Sequence, residues 1–529
     1  MMMNKKISIC LIFFAALATI SLTAVKMQSD DSLKEVSSVN TNGSDVNTGM
    51  TSIPKNYIVD STFSSHLPIV VIDTQNQDIP VAVKYDVAAG YYKKIDGVDP
   101  SITARMSVYD NDGINTVSDT ASCESAIQIR YRGNSSIEFD KKQYKIRLVN
   151  EDGTERESNI MGLGSDDEWI LNISMADPSL LRNYVALTMA GEIDESTPDV
   201  RYCEVLMKKG SAYEYEGLYL MMECVKRSEN RIDIKKYKPK NVYSSYILRR
   251  DRYNEDGVML DTFAERKDIS KGCFEVKYPI QDDITQNTVN YIQNDINRIE
   301  ELLYNGDTPD MAQLGQYLDI DSFVDYFLIN ELMGNYDAGM YSTYMYKDFG
   351  GKLHMGPVWD FDLAMDNHPR EMQNVQKIVF PYQPWFDRLC LSEEFDQKLL
   401  SRYRQLRKTT FSDEEIEDMI ENTAAELGNA SKRDWSRWGA EYTKAELGTY
   451  KDANGISIDR NRDSFEGEEE RLEDNLITHA YNIEPQLEKL KDDNTTEDMP
   501  WGKYGMQAVA FIVLFLAVIV MTRRRSDIE

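Results

Sequence analysis

Short runs of β-branched and aromatic residues, separated by Asn, Asp and Gly, dominate the chain from Tyr57 to about Leu148. Runs of this length and composition predict β-strands joined by turns. The runs are LPIVVID, PVAVKYDV, ARMSVYD, AIQIRYRG and KKQYKIRLV. A second pair of runs, CEVLMKKG and EGLYLMMECV, follows Arg201 and predicts a hairpin.

Apolar residues at helical spacing mark most of the remaining elements. In DPSLLRNYVALTMAGEI, Asp177 is predicted to cap a helix and Pro178 to occupy its first turn. The spacing recurs in NTVNYIQNDINRIEELLYN and SFVDYFLINELMGN, and residues 383–490 are helical in pattern and highly charged. TYMYKD and KLHMGPVWDFD predict one more short β pair.

This order of elements predicts an α+β fold with one mixed core. We expect the fold to occupy residues 55–490, which divide into a β-rich part (55–150), a mixed part (151–380) and a helical part (381–490). Residues 27–54 are rich in Ser, Asn, Thr and Asp, a composition that predicts a disordered linker.

The N-terminal residues 1–26 resemble a secretory signal peptide. Lys5 and Lys6 precede an apolar run that extends to about Val25. A positive segment followed by an apolar one is typical of such signals. Because the apolar run is long, an uncleaved N-terminal anchor is the alternative interpretation.

The C-terminal residues 506–522 predict a transmembrane helix, because they carry no charge and three arginines follow them. A buried core helix is the competing interpretation. The membrane interpretation implies a juxtamembrane linker (491–505) and a cytoplasmic tail (523–529). It predicts a single-pass protein of the cell membrane whose ectodomain lies outside the cytoplasm.

The charge of the chain restricts its partners. It contains 89 acidic and 59 basic residues among 529, a formal net charge of −30. Such a charge argues against sequence-independent binding of nucleic acid, which requires basic side chains on phosphates. The six cysteines form no C-x-x-C pair and the four histidines form no cluster, which argues against a zinc site.

Basic residues flank a Gly-Asn-Ser-Ser turn in RYRGNSS and KKQYK, residues 130–145. Arginine and lysine beside such a turn could bind phosphate oxygens, although an ordinary exposed hairpin has the same pattern. Glu223 ends an otherwise apolar strand. If Glu223 is internal it needs a cation as a partner, and otherwise it is a charge on an edge strand.

Three aspartates follow apolar segments farther along the chain. Asp337 opens a loop after the helix that ends near Gly334. A carboxylate at this position is either presented for function or is simply a turn residue. Asp360 and Asp362 interrupt the apolar run GPVWDFDLAM. In an extended segment they would share one face, about 7 Å apart, as suits Mg²⁺ bound by carboxylates and phosphate.

These stretches, in this order, resemble the CotH kinase-like family, which is named for a bacterial spore-coat protein. The resemblance covers roughly residues 65–480. It rests on the RGNSS turn and KK-x-YK strand, Leu181-Arg182-Asn183, GLYL-x-x-E, SSYILRRD, FEVKYP, N-x-D, W-D-x-D and PWFDRL.

The resemblance implies a divergent protein-kinase-like fold that binds ATP with Mg²⁺ and phosphorylates serines on itself and on partner proteins. Asp337 would be the catalytic base, and Asp360 and Asp362 would bind the metal. Many kinase-like sites place a metal-binding Asn five residues after the base, where this chain has Ser342. A serine hydroxyl is a weaker ligand for Mg²⁺.

The same resemblance assigns the nucleotide contacts. Arg132, Lys142 and Lys145 would meet the phosphates, Glu223 would be their ion-pair partner, and Trp359 would stack on adenine. The expected partners are therefore nucleotide, proteins of the cell surface or coat, and the membrane, but no nucleic acid.

Three functions are compatible with these residues. The first is an exported, membrane-anchored serine kinase. The second is a catalytically weak surface scaffold or adhesin of the same fold that binds proteins or glycans, as fungal members of the family do. The third is a hydrolase that uses Asp360 and Asp362 as an acid–base pair, for which no nucleophile is evident.

Overall fold

The structure is a computed structural model. It describes residues 57–88, 91–133, 135–269, 272–365, 367, 377–442, 449–451, 457–459 and 464–495. The predicted signal peptide (1–26), linker (27–54) and C-terminal segment (506–522) lie outside the described residues.

The first half of the chain is built of strands, as its alternating pattern predicts. The strands are β1 (Ile58–Val59), β2 (Ser64–Ser65), β3 (Ile69–Asp73), β4 (Val83–Asp86), β5 (Tyr91–Lys94), β6 (Ile102–Tyr109), β7 (Asn115–Thr116), β8 (Cys123–Tyr131), β9 (Tyr144–Val149), β10 (Ser158–Asn159), β11 (Ser165–Asp166), β12 (Glu168–Asn172), β13 (Val200–Lys209) and β14 (Ala212–Glu223). Their longest hairpin, β13–β14, is the one predicted after Arg201.

Eight of these strands form one sheet in the order β1-β14-β12-β9-β8-β6-β3-β13. The sheet closes on itself because β14 pairs with both β12 and β13. All its pairings are antiparallel except β3 with β13. Inward side chains such as Ile127, Ile129, Ile146 and Leu148 are fully buried, so every second residue of β8 and β9 supplies the core.

A second, five-stranded sheet has the order β16-β17-β15-β18-β19. Later strands of the chain are β15 (Tyr246–Asp251), β16 (Val258–Met259), β17 (Cys273–Tyr278), β18 (Thr343–Lys347), β19 (Leu353–Met355), β20 (Thr449–Lys451) and β21 (Ser457–Asp459). The β18–β19 hairpin confirms the predicted short pair, with Gly350 in the left-handed region of its turn (φ 79°). The W-D-F-D residues are not part of it, because β19 ends at Met355.

Helices provide most of the structure after Asp282. The helices are α1 (Arg182–Gly191), α2 (Phe263–Arg266), α3 (Gln286–Tyr304), α4 (Met311–Leu314), α5 (Ile320–Leu332), α6 (Phe386–Leu389), α7 (Glu393–Leu406), α8 (Asp413–Tyr442) and α9 (Phe465–Thr495), with 3₁₀ turns at Ser135–Glu138 and Phe380–Tyr382. In α3 the side chains Ile292, Ile296, Ile299 and Leu303 form the buried stripe that the spacing predicts.

The helix predicted from Asp177 begins later than expected. Leu180 has a φ of 64°, which a helix does not accommodate, and α1 starts at Arg182. The Asp177 carboxylate still accepts a hydrogen bond from the Arg182 N–H, at 2.9 Å. Asp177 therefore stabilises the loop before the helix and is not its N-cap.

The fold-class prediction was wrong in including a transmembrane helix. In the part of the chain that the structure describes, no helix is long and apolar enough to cross a bilayer. The same finding corrects the predicted single-pass membrane localisation. The architecture is α+β, with the closed sheet in the N-terminal part and helices in the C-terminal part.

Candidate functional site

Two loops bring three of the predicted site residues to one cleft. Asp337 lies on the loop after α5, and Asp360 and Asp362 lie on the loop after β19. The cleft is small and is lined by Asn335, Tyr336, Asp337, Asp360, Asp362 and Leu363. The cleft thus collects the carboxylates to which the sequence assigns catalysis and metal binding.

The segment that holds Asp360 and Asp362 is a tight loop and not the extended strand considered from the sequence. Asp360 has a φ of 67°, in the left-handed region. The two carboxyl groups are nevertheless close enough to hydrogen-bond to each other. Burial and the charge of Asp360 raise the pKa of Asp362 well above its usual range.

The paired carboxylates fit a divalent cation. Neither forms an ion pair with a cationic side chain of the described residues, so no protein cation offsets the repulsion that arises when both are ionised. Within the same residues no group of three or more His, Cys, Asp or Glu side chains could hold a metal alone. Two carboxylates completed by water and phosphate oxygens are the arrangement that Mg²⁺ prefers.

The hydroxyl of Ser342 joins this carboxylate pair. Its Oγ donates a hydrogen bond to Asp360 Oδ2 at 3.0 Å. Ser342 lies between the Asp337 loop and β18, in a left-handed conformation with a φ of 48°. The residue five positions after Asp337 therefore reaches the expected metal position.

Two asparagines that the sequence does not place at the site hold its loops. The Asn335 side-chain amide donates to the Trp359 carbonyl at 3.4 Å and to the Asp360 carbonyl at 3.3 Å. Asn183 Oδ1 accepts from the Phe361 N–H at 2.8 Å. The only sequence signal for these roles is their position within the N-x-D and Leu-Arg-Asn motifs.

The buried side chain of Arg182 hydrogen-bonds to the loop that contains Asp360 and Asp362. Arg182 donates to the carbonyls of Ala364 and Met365, each at 3.0 Å, and pairs with Asp177 at 2.5 Å. Its side chain is about 1% exposed. A buried guanidinium with a carboxylate partner and two backbone acceptors keeps the loop after Asp362 in one conformation.

Arg132 and Trp359 are brought together, although they are distant in the chain. The Arg132 guanidinium carbon lies 5.3 Å from the centroid of the Trp359 ring, and Arg132 also donates to Gln143 at 2.8 Å. Trp359 is 7% exposed and packs edge-on against Tyr344 at 5.8 Å. The adenine contact assigned to Trp359 stays a prediction.

Lys145 forms an ion pair with Glu168, a residue that no sequence motif marks. The Lys145 Nζ is 2.9 Å from Glu168 Oε1, and Arg147 contacts the same oxygen at 2.7 Å. Burial alone would raise the pKa of Glu168, but Lys145, Lys226 and Arg147 lower it to about 2. The carboxylate therefore stays charged and positions Lys145.

Glu223 lies apart from the three predicted phosphate-binding cations. Its carboxylate pairs with Arg231 and accepts from the Asp199 N–H at 3.1 Å. Burial raises the pKa of Glu223 to about 7, because Arg231 offsets only part of the desolvation. The structure thus gives Glu223 a cation, but a different one from those expected.

The two lysines of the KK pair have different surroundings. Lys141 is fully buried and pairs with Asp434 of α8 at 2.6 Å, so it connects the closed sheet to the C-terminal helices. Lys142 donates to the Ile137 carbonyl at 2.7 Å, and burial lowers its pKa. Lys142 stays at the turn that was predicted to bind phosphate.

A further lysine reaches this region from the second sheet. Lys277 of β17 pairs with Glu275 at 3.1 Å. Burial, the Arg249 guanidinium and Lys145 all lower the pKa of Lys277, so its ammonium group lies within electrostatic range of both cations. Cations from both sheets therefore face one region, and the FEVKYP motif was the signal for this one.

Comparison with known proteins agrees with this geometry. The sequence model of the family described as CotH kinase protein matches residues 129–477. The chain belongs to the CotH kinase protein family. It is also 23% identical over 264 residues to inner spore coat protein H of Bacillus subtilis (strain 168). That alignment covers 49% of this chain and 64% of the relative, which is less than two thirds of its length.

The matched region includes every residue described at the cleft. It begins before Arg132, on the closed sheet, and ends within α9. CotH membership therefore rests on the closed sheet, the second sheet and the helices together, and not on a single motif.

Proposed function

We propose that this CotH protein transfers the γ-phosphoryl group of ATP to serine hydroxyls of itself or of surface or coat proteins. The observation that supports the proposal best is the cleft in which Asp337 faces the Asp360–Asp362 pair. Phosphoryl transfer needs cations on the phosphates and one carboxylate near the incoming hydroxyl, and little covalent chemistry from the protein.

Asp360 and Asp362 would hold Mg²⁺, with Ser342 beside them. When bound, the metal neutralises charge on the phosphate oxygens and orients them. The protein contributes a fixed pair of carboxylates, because the side chains of Asn335, Asn183 and Arg182 hydrogen-bond to the backbone of their loop.

Asp337 is the proposed general base. It belongs to the other loop of the cleft, so it can accept the proton of a serine hydroxyl while Asp360 and Asp362 serve the metal. A general base must lie within hydrogen-bonding reach of the proton that it removes. A substrate serine that enters the cleft would therefore meet Asp337.

Arg132, Lys142 and Lys145 are the proposed phosphate contacts, and Lys277 adds a fourth cation from the second sheet. Glu168 takes the positioning role that the sequence assigned to Glu223, because it holds the Lys145 ammonium at 2.9 Å. A lysine fixed by a charged partner binds phosphate with less loss of side-chain entropy.

The class of target is proposed from the relative, whose name is that of an inner spore coat protein. We infer that this chain acts on proteins that assemble in a coat or on a cell surface. A catalytically weak scaffold is the second candidate for two reasons. Ser342 stands where an Asn is expected, and the Arg132 guanidinium lies over the Trp359 ring on which adenine would stack.

Incubation of the purified protein with radiolabelled ATP and Mg²⁺ tests the proposal. We expect phosphoserine on the protein in the wild type and none above background in Asp337→Asn or Asp360→Asn. Nucleotide binding without any transfer to the protein or to added coat proteins would favour the scaffold.

A further inference from the structure

Four lysines lie within six residues on the segment that leads into β15: Lys235, Lys236, Lys238 and Lys240. All four are exposed. Lys235 pairs with Asp348 at 3.1 Å, and the other three side chains make no ion pair or hydrogen bond with another described residue. Three neighbouring lysines without a partner among the described residues stand out in a chain of net charge −30. Such a cluster indicates an interaction site for a negatively charged group.

The segment is held in place by a buried tyrosine. Tyr237 is 8% exposed, its N–H donates to the Tyr278 hydroxyl at 2.5 Å, and its hydroxyl accepts from the Thr285 N–H at 3.2 Å. Because Tyr237 is anchored, the lysines on either side of it are directed outward. The cluster is therefore a fixed surface feature and not a loose loop.

Exposed aromatic rings lie beside the lysines. Tyr243 is 63% exposed and contacts Tyr291 edge-on at 5.2 Å, and Phe349 is 49% exposed. Lys235 Nζ lies 5.8 Å from the Phe349 ring centroid, and Ser245 Oγ accepts from the Phe349 N–H at 2.9 Å. With the lysines, these rings line a groove of about 350 Å³. Exposed rings with a polar rim are typical of protein interaction sites.

We propose that this lysine–aromatic groove, formed by Lys235, Lys236, Lys238, Tyr243 and Phe349 with Lys240 beside it, binds a short acidic segment of a partner protein. Carboxylates of the segment would meet the lysines, and an aromatic or aliphatic residue among them would pack on the rings. This binding is independent of phosphoryl transfer.

The small size of the basic area favours a short acidic segment over a long polyanion. The cluster is confined to residues 235–240, whereas the chain as a whole is strongly acidic. A nucleic acid or an anionic membrane would extend beyond the groove onto surface of its own sign, and repulsion would oppose binding. A segment of a few acidic residues gains the local attraction without that penalty.

The groove shares no lining residue with the carboxylate cleft, although both adjoin the β18–β19 hairpin. Phe349 is in the β18–β19 turn, and Ser342 precedes the other end of β18. Seven residues of extended chain span roughly 20 Å. A partner held in the groove therefore leaves the cleft open.

Fluorescence anisotropy with the whole protein tests the proposal directly. The probe is a fluorescein-labelled peptide of eight glutamates around one phenylalanine, measured at low salt. The variant Lys236→Glu/Lys238→Glu/Lys240→Glu should raise Kd by about tenfold or more, because three attractions become repulsions. The matched control Lys267→Glu/Lys408→Glu/Lys432→Glu changes three other exposed lysines and the same net charge, so Kd should change less than about twofold.

Further arms of the experiment separate the other occupants. An equal loss in both triple variants would show non-specific attraction and overturn the proposal. So would tighter binding to single-stranded DNA or to phosphatidylserine vesicles than to the acidic peptide. Tyr243→Ser/Phe349→Ser should weaken binding of the phenylalanine peptide but not of an all-glutamate peptide. If it weakens neither, the rings play no part and the groove as proposed is wrong.

Discussion

The Ser342 hydroxyl donates a hydrogen bond to the Asp360 carboxylate over 3.0 Å. Ser342 is five residues after Asp337, so one short loop carries both the proposed base in the cleft and a hydroxyl that contacts a proposed metal ligand. If Asp360 holds Mg²⁺ as proposed, this contact places the Ser342 hydroxyl beside the metal.

Restoring asparagine at this position should strengthen metal binding. Ser342 has a φ of 48°, a left-handed conformation that Asn adopts more readily than other residues with a Cβ atom. We expect Ser342→Asn to lower the Kd for ATP·Mg²⁺ by roughly fivefold, about 1 kcal/mol, since an amide oxygen is a better ligand. Titration calorimetry measures it, with Ser342→Ala as the comparison. Equal Kd values for all three proteins would remove Ser342 from the site.

Asp360→Asn should abolish Mg²⁺-dependent nucleotide binding and leave the fold intact. The asparagine keeps the shape of the side chain, and Asn335 binds the backbone carbonyl of residue 360 rather than its carboxylate. Asp348→Asn, in the β18–β19 turn, is the matched control and should bind normally. Titration calorimetry measures the Kd for ATP·Mg²⁺ of both variants and of the wild type. If Asp360→Asn binds as tightly as the wild type, the assignment of Asp360 to the metal is wrong.

Asp337→Asn should separate binding from catalysis. Removal of a positioned general base costs about 10²–10⁴-fold in rate. Because Asp337 is not one of the proposed metal ligands, the affinity for ATP·Mg²⁺ should stay within about twofold of the wild type. Binding and phosphate transfer are measured on one preparation. Transfer at the wild-type rate would leave Asp337 as a turn residue only.

The partner of Lys145 can be decided by two equivalent substitutions. Glu168→Gln removes the carboxylate 2.9 Å from the Lys145 ammonium, whereas Glu223→Gln removes one that pairs with Arg231. We expect Glu168→Gln to weaken ATP binding by about tenfold, equivalent to 1.4 kcal/mol, and Glu223→Gln to change it little. If Glu223→Gln weakened ATP binding more than Glu168→Gln, Glu223 would be the partner of the phosphate-binding cations, as the sequence suggests.

The stability of the protein should decrease in mildly alkaline solution because of His354. Its Nε2 is 3.4 Å from Asp194 and its Nδ1 is 3.4 Å from Asp319. Burial lowers the pKa of His354, but the two carboxylates raise it to about 9. Because folding raises the pKa of His354, the protonated imidazole stabilises the folded protein. This stabilisation is complete below the unfolded-state pKa of about 6.5 and is lost as the pH rises through 9.

His354→Gln should remove that dependence. The free energy of unfolding should be lower than in the wild type at pH 6 by on the order of 2 kcal/mol, and the difference should disappear by about pH 10. Urea unfolding at a series of pH values measures both proteins. A difference that is constant over this range would show a packing effect instead of an ionic one.

Much of the local structure follows from the sequence because it depends on near neighbours. Alternation in AIQIRYRG predicts the buried and exposed sides of β8, and the spacing Ile292, Ile296, Ile299 predicts the core-facing stripe of α3. The acidic residues that follow apolar segments identify Asp337, Asp360 and Asp362, because a charge is costly there without a function or a partner.

Contacts between distant segments required the tertiary structure. Glu168 and not Glu223 meets Lys145, because β12 lies between β9 and β14 and places Glu168 on the face that carries the lysine. A carboxylate at the end of an apolar strand predicts a cation but cannot say which one, since strand order is set by the whole sheet. The same limit applies to the contact between Arg132 and Trp359.

Local patterns along the chain were sufficient to predict the element types, the α+β class, the motifs of the CotH family and the carboxylates of the cleft. The sequence also predicted a transmembrane helix, which no helix of the described residues matches. Three features became evident only from contacts in three dimensions: the first sheet closes, Asp360 adopts a left-handed conformation, and the buried Arg182 side chain holds the loop after Asp362. These features depend on which segments meet in space, and the pairing of distant strands and loops is decided by the packing of the complete core.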